Sequence, residues 1–336
     1  MGIAALERIA MSRGFWMTVA WLLGVASGPG FAGNESASAG ATVIFVAGAP
    51  GEELYASNLV RQATLWSDTC ARGGAAFVAV GLDTNRAAPD RVVLAETLAA
   101  QSPESPAPLW LVLAGHGTFD GQEARFNLRG PDVTPADLVQ WLVPFRRPLV
   151  LIHAFSASAP FLPALAGTNR VIVTATRSGH EVNYARLGDF LAGALADPAA
   201  DLDHDGQTSL LEAFLAAAAR VTEFYQSEGR LATEHALLED NGDGKGTPAE
   251  WFRGVRPVRA AADGAPTDGA RAHQLHLVPS PAERALPAEV RQRRDALERA
   301  IFRLRDNRGR LPEAEYFDQL ERLLLELAEL LDASGT

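Results

Sequence analysis

The sequence predicts an α/β protein, a mostly parallel sheet with helices on both faces that also carries an EF-hand-type loop insertion and a C-terminal helical hairpin. Three observations predict it. Apolar runs of strand length alternate with helical segments over residues 42–196, and such alternation gives parallel strands joined by crossover helices. The runs are apolar throughout, as in strands buried on both faces. An acidic loop and two long helical segments then follow.

Taken in order, Gly33–Ala41 (GNESASAGA) is a polar, small-residue linker and Thr42–Ala49 (TVIFVAGA) the first strand. Glu52–Trp66 has the spacing of an amphipathic helix. Ala75–Gly81 is the second strand, Arg91–Ala100 the second helix, and Leu109–Gly115 (LWLVLAG) the third strand. Thr134 and Pro135 stand at the N-cap and first turn of a third helix. Arg147–Ala154 and Asn169–Thr176 are the fourth and fifth strands, followed by a helix around LGDFLAGALAD. Ala261–Ala272 is again linker-like in composition. The organisation therefore reads as a signal segment over 1–32, a linker over 33–41, a main domain over 42–258, a second linker over 259–286 and a hairpin over 287–332. In the hairpin, Phe317, Leu320, Leu324, Leu327 and Leu331 recur every three or four residues and make one apolar stripe. That stripe either caps the main domain or meets a partner protein.

The 336 residues carry a net charge of −11 and a single cysteine, Cys70. The acidic balance argues against a nucleic-acid partner, which needs a basic face, and one cysteine excludes an intramolecular disulfide. Arg13, the apolar stretch Phe15–Ala26 and the small residues up to Gly30-Phe31-Ala32 have the form of a secretory signal, with Met11 as an alternative start. Its apolar stretch is short for a bilayer span, and no later run is long enough for one. The expected location is periplasmic or secreted, with no membrane span after signal removal.

Asp201–Glu212 (DLDHDGQTSLLE) fits the EF-hand loop and predicts a bound Ca2+. Asp201, Asp203 and Asp205 offer oxygens at positions 1, 3 and 5, and Gly206 makes the sharp turn at position 6. Gln207 offers its carbonyl, Ser209 occupies position 9, and Glu212 closes the site at position 12. An extracellular module of this kind has a Kd of roughly 10⁻⁴ M. Glu239–Glu250 (EDNGDGKGTPAE) is a partial second copy: Asn241, Asp243, Gly244 and Glu250 are in register, Glu239 replaces the usual aspartate, and a plain Asn-Gly/Asp-Gly turn explains it equally well.

In sheets of this kind chemistry gathers at the carboxyl ends of the strands, where His116, Ser156 and Arg177 fall. His116 lies between two glycines at the end of the third strand, a common place for a working side chain. The order VIFVAGAPGE, LVLAGHGTFDG, PLVLIHAFSASAPF, VIVTATRSGHEVNYA and TEHALLEDNGDGKG resembles the caspase–legumain family of cysteine peptidases, in particular its bacterial legumain-like branch, over about residues 42–255. The resemblance implies the caspase-like three-layer fold and a dyad: His116 with a cysteine after the next core strand. It places Gly117, Ser158 and Arg177 along the substrate cleft. Here the thiol is missing. One alignment puts Phe155 at the nucleophile position and a shift by one puts Ser156 there. Cys70 precedes the histidine strand and belongs elsewhere in the sheet.

A serine hydroxyl needs a closely bonded base, an orienting third group and an oxyanion hole. Asp120 and Asp132 are the candidates for the third group, and His153 is a further candidate base. His180, His204, His235, His273 and His276 have no zinc-ligand spacing, and there is no nucleophile-elbow motif. The expectation is therefore an exported, calcium-binding peptidase homologue without cysteine-peptidase activity, acting as a peptide- or protein-binding domain. The alternative is an active hydrolase using Ser156 with His116 as base.

Overall fold

A computed structural model of the chain describes residues 40–83, 85–259 and 264–334. The expected signal segment over 1–32 and nearly all of the first linker lie outside the described residues.

Strands β1 (Thr42–Ala47), β2 (Ala76–Val80), β3 (Leu109–Gly115), β6 (Leu149–Phe155) and β7 (Arg170–Thr174) form a parallel sheet in the order β2-β1-β3-β6-β7. Antiparallel β8 (Leu237–Glu239) and β9 (Thr247–Pro248) extend it beyond β7. Two short strands, β4 (Gly117–Phe119) and β5 (Ala124–Phe126), pair as a separate hairpin directly after His116, and β10 (Phe252–Arg253) pairs with β11 (Arg256–Pro257).

Side chains alternate across each strand, so each core strand feeds two apolar layers. Val43, Phe45, Val112, Ala114, Ile152 and Ala154 face α1 (Glu53–Gly73), α5 (Leu187–Ala194) and α6 (Leu210–Ser227). Ile44, Val46, Leu111, Leu113, Leu151 and Phe155 face α2 (Asp90–Ala99), α3 (Pro135–Leu142) and α4 (Phe161–Leu165). The fold is thus the mostly parallel α/β sheet with helices on both faces that the sequence predicts. Thr134 caps α3: its hydroxyl accepts the Asp137 amide, and Asp137 returns a bond to the Thr134 amide. Helix α1 runs past Trp66 to Gly73, where Gly74, at φ +73°, ends it in the left-handed conformation.

The segment after residue 264 is laid against the body. Ala272 and Leu277 enter the apolar layer under α1 and α6, and the Leu210 amide donates to the Leu275 carbonyl. The approach is tight, because a Cβ on Gly73 would lie 1.8 Å from the Leu277 carbonyl oxygen. A short α7 (Pro281–Ala285) leads into α8 (Ala288–Asp306) and α9 (Glu313–Ser334), which pack on each other as a hairpin. Among the described residues no helix is long and apolar enough to cross a membrane.

His153 is fully buried on β6 against the rings of Phe155 and Phe161, and neither ring nitrogen has a hydrogen-bond partner among the described residues. Burial lowers its pKa to about 3, so the folded chain holds it neutral where the unfolded chain protonates it. Below about pH 6.5 the unfolded state takes up the extra proton, and stability falls by up to about 1.4 kcal/mol per pH unit. The His153→Leu variant is expected to lose that part of the slope between pH 6.5 and 4 in urea unfolding. An unchanged slope would place the acid sensitivity elsewhere.

Candidate functional site

The strand order reverses between β1 and β3, with β2 outside β1 on one side and β6 and β7 beyond β3 on the other. At such a reversal the loops after the two strands leave toward opposite faces and open a crevice at their carboxyl ends. The crevice is bounded by residues 48–52 after β1 and by His116 after β3. Its floor is backbone against backbone. A Cβ on Gly48 would lie 2.9 Å from the Asn127 carbonyl oxygen, and Gly115 adopts φ +148° with a Cβ position 3.1 Å from the Gly48 Cα.

His116 is half-buried. Its imidazole meets the Tyr55 ring edge-on at 4.7 Å and the Tyr184 ring at 5.3 Å, and the two tyrosines stack on each other at 4.6 Å. Burial lowers the His116 pKa and nearby Glu52 partly opposes it, so the ring is neutral at neutral pH. The imidazole has no hydrogen-bond partner among the described residues. The His116 carbonyl accepts the Asn127 amide at 3.0 Å, while the Asn127 Oδ1 is buried without a partner.

Both candidates for the nucleophile position sit beside this histidine, and neither is presented to it. Phe155, the last residue of β6, pairs with Gly115 and sends its ring into the opposite layer, against Phe126 and Phe161. Ser156 is fully buried: its Oγ accepts the Gly117 amide at 3.0 Å and donates to the Gly117 carbonyl at 3.1 Å. The hydroxyl proton is thereby directed to a carbonyl. Ala157 takes a left-handed φ of 58° and donates its amide to the Glu181 carbonyl. Ser158 is buried against the Thr176 hydroxyl at 3.1 Å.

Arg177 is exposed at the rim, 3.5 Å from Glu181, whose carboxylate also holds His235 Nδ1 at 2.6 Å. Asp120 accepts the amides of Gln122 and Glu123 and an Arg125 nitrogen, and Asp132 accepts the Leu128 amide. Both are occupied in turns, and neither orients His116. Cys70 is buried near the far end of α1, about 22 Å along the helix from Tyr55. Burial pushes its thiol up to about 12, which leaves it protonated and inert.

The 201–212 loop follows the turn Pro198–Ala200 and runs into the first turn of α6. Asp201 accepts the amides of His204 and Gly206, Asp203 that of Asp205, and Asp205 that of Gln207. One ligand oxygen from each of the three aspartates lies within 4.8 Å of the others. Glu212 reaches back across the loop: one oxygen accepts the amides of Leu202 and Asp203, the other the amide and hydroxyl of Ser209. All these side-chain donors are oxygens, the set that suits a hard cation such as Ca2+. Segment 264–280 touches the loop through His273 Nε2 on Asp203 at 2.8 Å, the Ser280 amide on the Gln207 side-chain oxygen at 3.0 Å and the Leu275 carbonyl, which accepts the Leu210 amide at 2.8 Å.

A groove of about 570 Å³ lies between residues 255–259 and the hairpin, lined in part by Ile301, Phe302, Leu324 and Leu327, and a cavity of about 360 Å³ lies beside α6. Neither reaches His116. The site is therefore marked by topology and by its tyrosines, which sequence reasoning missed. Tyr55 and Tyr184 lie 129 residues apart, and only the fold stacks them.

No family model matches the chain, and no curated protein matches it. The structure is similar to that of the Drosophila initiator caspase Dronc, with 12% identity over 61% of this chain and 81% of that one and a TM-score of 0.39. It is also similar to caspase-1 from Spodoptera frugiperda (10% identity, 60% and 86% coverage, TM-score 0.39). A structural genomics target from Geobacter sulfurreducens is a third (10% identity, 60% and 92% coverage, TM-score 0.38).

The close ends of β3 and β6 are testable. Ser156→Ala would strand the buried Gly117 amide and carbonyl, and is expected to cost about 2 kcal/mol in urea unfolding. Gly117→Ala brings a Cβ to 2.3 Å from the Ser156 carbonyl oxygen and 2.6 Å from the Phe155 ring, and is expected to cost about 2–3 kcal/mol. Stability within about 0.5 kcal/mol of wild type in both variants would show that the strand ends are not held this way.

Proposed function

We propose that this chain is a caspase–legumain-like peptidase homologue that binds a peptide or protein segment in the crevice at His116 without the family's cysteine chemistry. One observation carries the reading. His116 stands at the reversal of the sheet, wedged against two tyrosines, and the hydroxyl following β6 is bonded to the Gly117 backbone. A serine without a bonded base is a poor nucleophile. The crevice offers aromatic faces, a neutral imidazole and a rim cation, Arg177, already shared with Glu181. These are groups for holding an extended segment. Export to the periplasm or outside, and Ca2+ on Asp201, Asp203, Asp205, Gln207, Ser209 and Glu212, belong to the same reading; the oxygen-only donor set supports the cation. When bound, the ion would neutralise the loop's aspartates.

The test incubates the full chain with a broad peptide library and a fluorophosphonate probe. Expected is no cleavage and no labelling, with peptide retention that weakens at least fivefold in His116→Ala and Tyr184→Ala. Labelling lost in both Ser156→Ala and His116→Ala would replace this reading with a serine hydrolase. For the loop, 10 mM calcium at a Kd of ~10⁻⁴ M is expected to add about 2.7 kcal/mol of stability through this site, a contribution lost in Asp205→Asn. Equal unfolding midpoints with calcium and with EDTA would reject the site.

A further inference from the structure

Residues 239–247 repeat most of the bonding of the 201–212 loop. Glu239 stands where Asp201 stands, and its Oε1 accepts the Gly242 amide at 2.5 Å as Asp201 accepts that of His204; the bond that the Gly206 amide makes to the second Asp201 oxygen has no counterpart at Glu239 among the described residues. Asn241 accepts the Asp243 amide at 2.9 Å, as Asp203 accepts that of Asp205. Asp243 accepts the Lys245 amide at 2.8 Å, as Asp205 accepts that of Gln207. The fourth and sixth residues have positive φ in both loops, 62° and 88° at His204 and Gly206, 88° and 75° at Gly242 and Gly244.

The copy parts from the sequence pattern at its last ligand. Glu250, twelfth in the motif, is exposed in a short helical turn, Ala249–Trp251. Its place is taken by Asp268, on the segment that sequence composition marks as a linker. One Asp268 oxygen accepts the amides of Asp240 (2.9 Å) and Asn241 (3.2 Å), where Glu212 accepts those of Leu202 and Asp203. The other meets the Thr247 hydroxyl at 2.6 Å, where Glu212 meets that of Ser209.

Bonding within a loop does not by itself call for a ligand; one buried atom here does. Glu239 is fully buried, and its Oε2 has no hydrogen-bond partner among the described residues. Asp240 and Asp268 are buried beside it, and of the three carboxylates Asp240 also feels the Arg271 charge. Asp240 is occupied by the amides of Gly269, Arg271 and Ala272. Buried carboxylates are ordinarily paired with cationic groups or bound to metal ions. A carboxylate oxygen that accepts one N–H keeps a second lone pair for a cation.

We propose that residues 239–245 together with Asp268 hold a second Ca2+, through side-chain oxygens of Glu239, Asn241, Asp243 and Asp268 and the Lys245 carbonyl at the seventh position of the pattern. The site is complete only when segment 264–272 is docked, so the cation joins that segment to the edge of the sheet. It is separate from the peptide crevice and from the first loop, and each can fail without the other.

The test counts calcium bound to the full-length chain by equilibrium dialysis with radioactive calcium. Wild type is expected to bind two ions, Asp205→Asn one, Glu239→Gln one, and the double variant none. Glu239→Gln keeps an acceptor for the Gly242 amide and removes a buried charge, so its unfolding midpoint in EDTA is expected to equal or exceed that of wild type. Hydrogen exchange gives an independent readout. Calcium is expected to slow the amides of residues 240–245 at least tenfold in wild type and Asp205→Asn, and not in Glu239→Gln. Two outcomes overturn the proposal: a single ion in wild type that Asp205→Asn removes, or a count unaffected by both Glu239→Gln and Asp268→Asn. The first would leave the 201–212 site standing.

Discussion

The Ser156 hydroxyl both accepts the Gly117 amide and donates to its carbonyl, and this exchange fixes where β3 and β6 stop relative to each other. Everything at the carboxyl edge of the sheet follows from that distance. With the strand ends drawn so close, Gly117 has no room for a side chain, the Phe155 ring is turned into the layer below, and His116 is left at the lip of the crevice against two tyrosines. The space between the two strand ends is closed by a hydrogen-bonded hydroxyl. What would be reactive surface is spent on cohesion, because buried backbone groups demand partners.

A second region is organised by the opposite need, too much like charge in too little water. In two acidic loops the carboxylates accept runs of backbone amides, and residues 264–280 touch both. The amides soften the repulsion without cancelling it. Because Gly73 admits the Leu277 carbonyl at the end of α1, the same segment is also held by close backbone packing.

Much of the architecture was legible in the sequence because it depends on local pattern. Continuous apolar runs gave the five core strands, Thr134-Pro135 gave a helix start, and Gly115-His116-Gly117 placed a histidine at a strand end. The first acidic loop was legible because all its oxygens fall within twelve consecutive residues. The rest depended on partners distant in the chain. Ser156 looks like a free hydroxyl until its bonds 39 residues away are seen, and Tyr184 gives no sign of Tyr55. Asp268 was hidden by composition: Ala261–Ala272 has the glycine, proline and aspartate of a linker, and those residues suit irregular backbone whether it is loose or packed.

The position of residues 264–280 also sets an order of assembly. A chain made from its amino end has the residues of all the parallel strands and of both acidic loops synthesised before Asp268 and Leu277. Leu277 must then dock on Gly73, some two hundred residues earlier, and contacts of such span form late because the intervening chain must already be ordered. Residues 264–280 are therefore a clasp that closes only after the much earlier parts it fastens have been made.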